Sequence, residues 1–206
     1  FGYFRSQNGE WDSNGQVLWV ASQLMEKTTR RLDPQWRDIA KRAARWIVKK
    51  RLRKEKREWY DGLMPAGFSA EHLGPNDFYY WDDFWSVAGL YAAADMLEEW
   101  GDEDDALHFR NEGDGLFAAV ERSVRLSNES AGAVPQFPAS PMRRMDSGAV
   151  GSLACSYPLH LVAPGDERVE NTVEYLLSHC MIDNAFFHDI SHSGINPYLT
   201  LHIAQA

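Results

Sequence analysis

The chain has 206 residues, of which 44% are hydrophobic and 25% are charged, and its formal net charge is −9. This length is enough for one domain with a substantial core, so we expect residues 1–206 to form a single domain. The negative charge argues against a nucleic-acid surface, and no apolar run reaches the roughly 20 residues that span a membrane. We therefore expect neither nucleic acid nor a membrane as a partner.

Apolar residues recur at helical spacing through nearly the whole chain, whereas no strand alternation and no hairpin dipeptide stands out. The spacing predicts seven helices, at about 14–28, 33–56, 82–100, 102–127, 146–162, 166–180 and from 196 onward. A short link joins the two helices of each pair, and a longer loop precedes the next pair. A repeat of roughly 60–70 residues per pair is typical of a ring or solenoid of helical hairpins.

In such a ring the inner helices all begin from the longer loops, so these loops gather at one mouth. Asp12 and the loops 61–83, 128–146 and 183–196 should then line one pocket. The sequence stops inside an apolar-periodic stretch that has no helix-ending signal. We therefore expect a partial chain, in which other segments of a longer polypeptide or a partner complete the fold, and the sequence leaves open whether the protein is cytoplasmic or secreted.

Four short motifs carry a resemblance to a known family. They are 11-WDSNGQVLWVASQLMEKT, 62-GLMPAGFSAEHLGPNDFYYWDDFW, 146-DSGAVGSL and 192-HSGINPYLTLHIAQ. In their order and spacing they resemble the six-hairpin, (α/α)6-toroid glycoside hydrolases. The YYWDDFW segment is similar to the Tyr-Trp-Asp signature of trehalases, and the Gly-Leu-x-Pro start looks like the middle hairpin of glucoamylase-type enzymes.

The resemblance implies an all-α catalytic domain that holds about seven of the twelve helices of a toroid. It implies hydrolysis of a glycosidic bond in an oligosaccharide, in particular an α-glucoside, with inversion and with no metal or cofactor. Inverting enzymes place their two carboxyl groups roughly 6.5–9.5 Å apart, with room for a water molecule. The family takes its base from C-terminal hairpins, so the base is expected beyond residue 206.

The candidate acids are the carboxyl groups around the aromatic segment. Glycoside hydrolysis needs one protonated carboxyl to give a proton to the leaving oxygen, and poorly solvated aromatic walls keep that proton in place. Asp82, which follows Trp81, is the first candidate for the general acid, and Glu71 is the second. Asp83 is a candidate sugar contact, although either aspartate could instead be a helix N-cap.

The aromatic side chains are candidate stacking platforms for a sugar. Trp81, at the start of the helix, and Tyr80 are the expected substrate contacts. Trp85 lies four residues after Trp81 and shares its helix face, so we expect it in the core.

Further polar side chains sit at the predicted mouth. The candidate substrate contacts among them are His72, Asp12, Asn14, Arg144, His192 and Asn196. Arg144 could bind vicinal hydroxyl groups or hold a carboxylate. A structural role remains open for most of these residues. The histidines could be ordinary surface or core residues, and Asp12 and Asn14 could cap the first helix. Pro197 directly follows Asn196, which favours an N-cap role for Asn196.

Two charged runs look functional but have simpler explanations. The basic run 41–57 spreads its charges around a helix that keeps a buried apolar side, so we expect a solvated outer helix. The acidic run 102–105 opens a helix directly after Gly101, so we expect a capped first turn and no metal site.

Two other functions remain open. Aromatic walls with acids also suit the carbocations of a terpene cyclase or prenyltransferase, whose toroids are built similarly. The segment WDDFW lacks the third acid that a metal-binding motif of that class needs. A non-catalytic helical-repeat module that binds carbohydrate or protein is the remaining alternative.

Overall fold

A computed structural model describes residues 2–5, 9–28, 33–52, 59–69, 74–190 and 193–206. The fold is all-α, as the spacing predicts. Its helices are α1 (Ser13–Lys27), α2 (Gln35–Lys50), α3 (Tyr80–Glu99), α4 (Glu103–Ala131), a 3₁₀ helix (Ser147–Cys155), α5 (Glu167–His179) and α6 (Pro197–Gln205). None of the described helices is long and apolar enough to cross a lipid bilayer.

Most of the predicted helix bounds are confirmed within a few residues, and two are wrong. The second helix ends at Lys50 and does not continue to 56, because Arg51 is extended and the Leu52 N–H bonds to the Leu63 carbonyl. The predicted fifth helix is a nine-residue 3₁₀ helix. Its sequence, SGAVGSLAC, contains two glycines, the residue that favours an α-helix least in this segment.

A small antiparallel sheet forms where the spacing predicts only a loop. Its strands are β1 (Met181–Ile182), β2 (Ala185–His188) and β3 (Gly194–Ile195), in the order β1-β2-β3. Asp183 and Asn184 form the turn between β1 and β2, with φ values of 51° and 62°. Asp and Asn adopt this left-handed conformation more readily than other non-glycine residues, so this dipeptide makes the hairpin possible.

Helix α3 lies at the centre of the molecule. Its residues are buried from Tyr80 to Leu90, and between Leu90 and Leu97 solvent reaches the half-buried Tyr91 and the exposed Asp95. It packs against α1, α2, α4 and the 3₁₀ helix. By contrast, α2, α4 and α5 bury only one side each, as expected for outer helices. The central helix contributes to both apolar clusters of the core, and it therefore fixes the positions of its neighbours.

Helices α1 and α3 cross at very short range through two glycines. A Cβ atom on Gly15 would lie 2.0 Å from the Trp85 carbonyl oxygen, and one on Gly89 would lie 2.5 Å from the Gly15 Cα. Both distances are far below van der Waals contact, so no larger residue fits at this crossing. The contact brings the beginning of α1 against the first turn of α3, where the candidate acids lie.

The two charged runs meet each other. Lys41 on α2 lies 2.9 Å from carboxylate oxygens of both Asp102 and Asp105, and Arg37 and Arg45 bond to the same two carboxylates. These ion pairs lower the pKa of Asp105, chiefly through the bond to Lys41. The acidic run therefore serves to join the start of α4 to the outer face of α2.

Candidate functional site

Asp82 lies in the first turn of α3 and is 1% exposed. Neither of its carboxylate oxygens has a hydrogen-bond partner among the described residues. Burial raises the pKa of Asp82 well above its ordinary value, and the negative charges of Asp12, Asp83 and Glu10 raise it further. The backbone N–H of Trp11 is close enough to the carboxyl to oppose this rise in part, although not in the geometry of a full hydrogen bond. The surroundings of Asp82 therefore favour its protonated form over its charged form.

Asp12 immediately precedes α1 and is 2% exposed. Its Oδ2 accepts a hydrogen bond from the Trp81 indole N–H over 2.7 Å and a second one from the Gln16 side-chain amide over 2.8 Å. Burial raises the pKa of Asp12, the bond from Trp81 lowers it, and the charge of Glu10 raises it. Because N–H donors favour the ionised carboxylate, Asp12 is the better site for a negative charge.

Asp12 and Asp82 therefore form a pair with different environments. Asp12 receives two side-chain N–H donors at one oxygen, whereas Asp82 has no side-chain donor among the described residues and only the looser approach of the Trp11 backbone N–H. Two buried carboxyls that repel each other cannot both ionise readily, so the first charge goes to the one with donors. The Asp12–Asp82 pair thus places a carboxyl whose surroundings favour the proton beside one that N–H donors make the better site for a negative charge, which is the division of roles that general acid catalysis uses.

Asp83 has a different environment from Asp82, although the two are adjacent. It is fully buried, and its Oδ1 accepts the Met64 backbone N–H over 2.8 Å, while its Oδ2 has no partner among the described residues. Burial raises the pKa of Asp83 to about 8, against the lowering effects of the Met64 N–H and the Arg51 charge. Asp83 therefore fastens the 62–64 turn to α3.

Three tryptophans pack around the first turns of α1 and α3. Trp85 lies edge-on to Trp19 and to Trp81, with ring centroids 5.7 Å apart in both pairs. Trp85 is buried, as the helix-face argument predicts, and its indole N–H has no partner among the described residues. Trp81 is 3% exposed and its polar edge is bonded to Asp12. It therefore lines the pair of carboxyls and offers no open stacking face.

Tyr80 and Asn14 have structural partners. Tyr80 is fully buried, and its hydroxyl shares a hydrogen bond of 2.8 Å with Ser123 on α4. Asn14 is also fully buried; its amide accepts the Phe4 N–H over 2.8 Å and donates to the Gly2 and Ala43 carbonyls. Tyr80 therefore contributes to the α3–α4 core, and Asn14 ties the N-terminal segment to α1 and α2.

The loop before the 3₁₀ helix contributes a separate polar cluster. Arg143 donates to Asp146 over 2.7 Å, and Asp146 caps the 3₁₀ helix through the Gly148 N–H. Arg144, the arginine predicted to contact substrate, is exposed. Asn196 caps α6 by accepting the Leu199 N–H, so the N-cap interpretation is confirmed there. The described contacts do not join Arg144 or Asn196 to the Asp12–Asp82 pair.

Three of the predicted site residues lie outside the described residues: Glu71, His72 and His192. The structure therefore gives no position for the second candidate acid. It adds two residues that sequence reasoning missed, Glu10 and Gln16. Gln16 lies four residues after Asp12, which is the helical spacing that brings two side chains together, so the sequence held a signal for it. Glu10 carries no comparable signal.

Two large cavities of the described structure are not lined by the Asp12–Asp82 pair. A cavity of about 620 Å³ is lined by residues of α4 and by Arg168, and another of about 800 Å³ lies beside Tyr157 and Ala206. Among the described residues, no group of three or more His, Cys, Asp or Glu side chains is placed to hold a metal ion. The chemistry that the described part of the site offers is therefore that of a buried carboxyl pair.

No family model matches this chain, and neither a curated protein nor a solved structure is significantly similar to it. The assignment of a function therefore depends on the sequence motifs and on the carboxyl pair.

Proposed function

We propose that the chain is part of an (α/α)6-toroid glycoside hydrolase in which Asp82 is the general acid. The observation that carries this proposal is the environment of Asp82. A buried carboxyl that makes no hydrogen bond among the described contacts and lies beside another acid favours its protonated form. A glycosidase uses such a proton on the leaving-group oxygen of the glycosidic bond.

The arrangement of the helices supports the toroid part of the proposal. The enclosed helix α3 alternates in sequence with the outer helices α2 and α4, each exposed on one side. Asp12 and Asp82 lie at the beginnings of α1 and α3, as expected if inner helices start at one mouth. Asp146 and Asn196 hold the corresponding positions at the 3₁₀ helix and α6.

Asp12 has a supporting role in this proposal. A negative charge on Asp12 raises the proton affinity of Asp82, and the bond between Asp12 and the Trp81 indole fixes the first turn of α3. No described residue is assigned as the catalytic base that activates water. The reaction would be hydrolysis of an oligosaccharide, with an α-glucoside as the first substrate to test.

The test is sugar release from trehalose, maltose, sucrose and β-linked controls, with Asp82→Asn and Glu71→Gln beside the unmodified protein. Asp95→Asn is a matched control, because Asp95 lies on the same helix and is exposed. We expect Asp82→Asn to lower kcat by about 10²- to 10⁴-fold, which is the usual contribution of a general acid, and Asp95→Asn to leave it unchanged. Full activity in Asp82→Asn would refute the assignment, and loss of activity in Glu71→Gln alone would transfer the role to Glu71.

A second candidate is a non-catalytic carbohydrate-binding module on the same fold. The observation that favours it is the closure of the site, since Asp82 and Trp81 are only 1% and 3% exposed. A catalytic acid must be reached by its substrate, whereas a structural acid need not be. Glycan binding by a folded protein that releases no sugar from any substrate would support the module and not the hydrolase.

A further inference from the structure

Gln16 lies on α1 and bonds to the carboxylate of Asp12. It lies one helical turn after Asp12 and is half-buried, and its Nε2 donates to Asp12 Oδ2 over 2.8 Å. The backbone N–H of Gln16 also bonds to the Asp12 carbonyl, over 2.9 Å. Side chain and main chain together therefore hold Gln16 and Asp12 in one fixed geometry.

This donor reaches the same oxygen as the Trp81 indole N–H, which comes from α3. The titratable groups coupled to the pair include Glu10 and Tyr3 on the N-terminal segment and Asp83 on α3, and the charge of Arg5 acts on Tyr3. Two N–H groups on one oxygen make Asp12 the favoured place for the negative charge in these surroundings. If one of the two donors were lost, Asp12 would compete with Asp82 for the proton.

We propose that Gln16 is a positioning residue that keeps the carboxylate of Asp12 ionised and thereby leaves the proton of the pair on Asp82. The inference rests on the proposed function for its catalytic meaning. The distribution of the proton itself can be measured without any substrate, so the two can fail separately.

The test is a pH titration of the aspartate side-chain carboxyls by ¹³C NMR in the unmodified protein and in Gln16→Met. Methionine keeps the length of the side chain and removes the amide donor. One charge-assisted hydrogen bond to a carboxylate lowers its proton affinity by roughly 10- to 100-fold, which is one to two pH units. The midpoint of the Asp12 titration should therefore rise by about one to two pH units in Gln16→Met. The indole N–H resonance of Trp81, assigned with Trp81→Phe, should report the same shift.

Gln23→Met is the matched control. Gln23 lies on the same helix and bonds to the exposed Glu26, so its replacement should leave the titration of Asp12 unchanged. An Asp12 titration in Gln16→Met that stays within about 0.3 units of the original would overturn the inference, since this is far less than one charge-assisted bond contributes. If Gln16→Met does not fold, the unmodified protein decides: a titration of Asp82 at lower pH than Asp12 contradicts the proposal.

Activity measurements separate the inference from the function on which it rests. If sugar is released, the acidic limb of the kcat profile should move up in Gln16→Met together with the Asp12 titration. If no sugar is released but the carboxyl titrations behave as expected, the role of Gln16 stands and the hydrolase proposal fails. If sugar is released but the profile of Gln16→Met matches the original, the role of Gln16 fails and the hydrolase proposal stands.

Discussion

Asp83 offers a prediction about stability that follows directly from its burial. The pKa of Asp83 is about 8 in the folded protein, and an aspartate in an unfolded chain titrates near 4. As the pH rises above about 4, the unfolded state loses this proton while the folded state keeps it. Stability is therefore fully present below about pH 4 and falls with each pH unit up to about 8.

The magnitude follows from the size of this difference. Each pH unit corresponds to about 1.4 kcal/mol, so Asp83 lowers the free energy of unfolding by about 4 kcal/mol at pH 7, relative to pH 4. Asp83→Asn removes this dependence. The amide oxygen can still accept the Met64 N–H, and the buried NH₂ replaces the O–H of the protonated acid. The free energy of unfolding of the variant should therefore equal that of the original protein at low pH. Above about pH 5 the variant should become progressively more stable than the original protein.

The assay is urea denaturation followed by tryptophan fluorescence at pH 4.5, 5.5, 6.5 and 7.5. Asp95→Asn is the control, since it makes the same change on the exposed side of α3 and loses only a surface ion pair with Arg110. Its stability curve should run parallel to that of the original protein. The reasoning about Asp83 is refuted if the difference between Asp83→Asn and the original protein stays constant from pH 4.5 to 7.5.

Five further substitutions at four positions test the helix crossing, a buried hydrogen bond and the hairpin turn. Gly15→Ala should lower the free energy of unfolding by about 3 kcal/mol or more, because the added Cβ would overlap the Trp85 carbonyl. Gly115→Ala is the matched change on α4: its Cβ would have no neighbour closer than 3.8 Å, so it should raise the free energy of unfolding by up to about 1 kcal/mol. Equal effects of the two substitutions in thermal melts would contradict this reasoning. Tyr80→Phe removes the hydrogen bond to Ser123 but leaves the Ser123 hydroxyl bonded to the Trp59 carbonyl. It should therefore lower the free energy of unfolding in urea titrations by only about 1 kcal/mol, and a decrease above about 3 kcal/mol would be inconsistent with the remaining bond. Asn184→Val should lower the free energy of unfolding by about 1–2 kcal/mol, because a β-branched residue is strained at a φ of 62°. The Asn184→Gly variant should have a melting temperature close to that of the original protein.

The sequence predicts the helices well but does not predict which way the first turn of α3 faces. Adjacent helical residues point about 100° apart, so Asp82 and Asp83 had to reach different neighbours. Which of them meets Asp12 depends on the close crossing of α1 and α3 at Gly15. That crossing is a tertiary contact, and the spacing of apolar residues carries no direct signal for it.

The same limit explains the other differences. Tyr80 looks like a sugar platform because it adjoins Trp81, but the rotation of α3 directs it to Ser123 on α4. Asn14 looks like a ligand contact or a cap, but its amide is used by three backbone groups that come from two different segments. Local signals were more reliable where the partner is close in sequence, as at the N-cap Asn196.

The enclosure of α3 has a consequence for the motions of the site. A backbone amide exchanges its hydrogen with water only when the structure around it opens, and the slowest amides report the opening of the whole domain. Because α1, α2, α4 and the 3₁₀ helix all cover α3, its amides should be among the slowest to exchange. The helix that bears Asp82 would then open last, so the surrounding segments, and not α3 itself, must move whenever solvent or a sugar reaches that carboxyl.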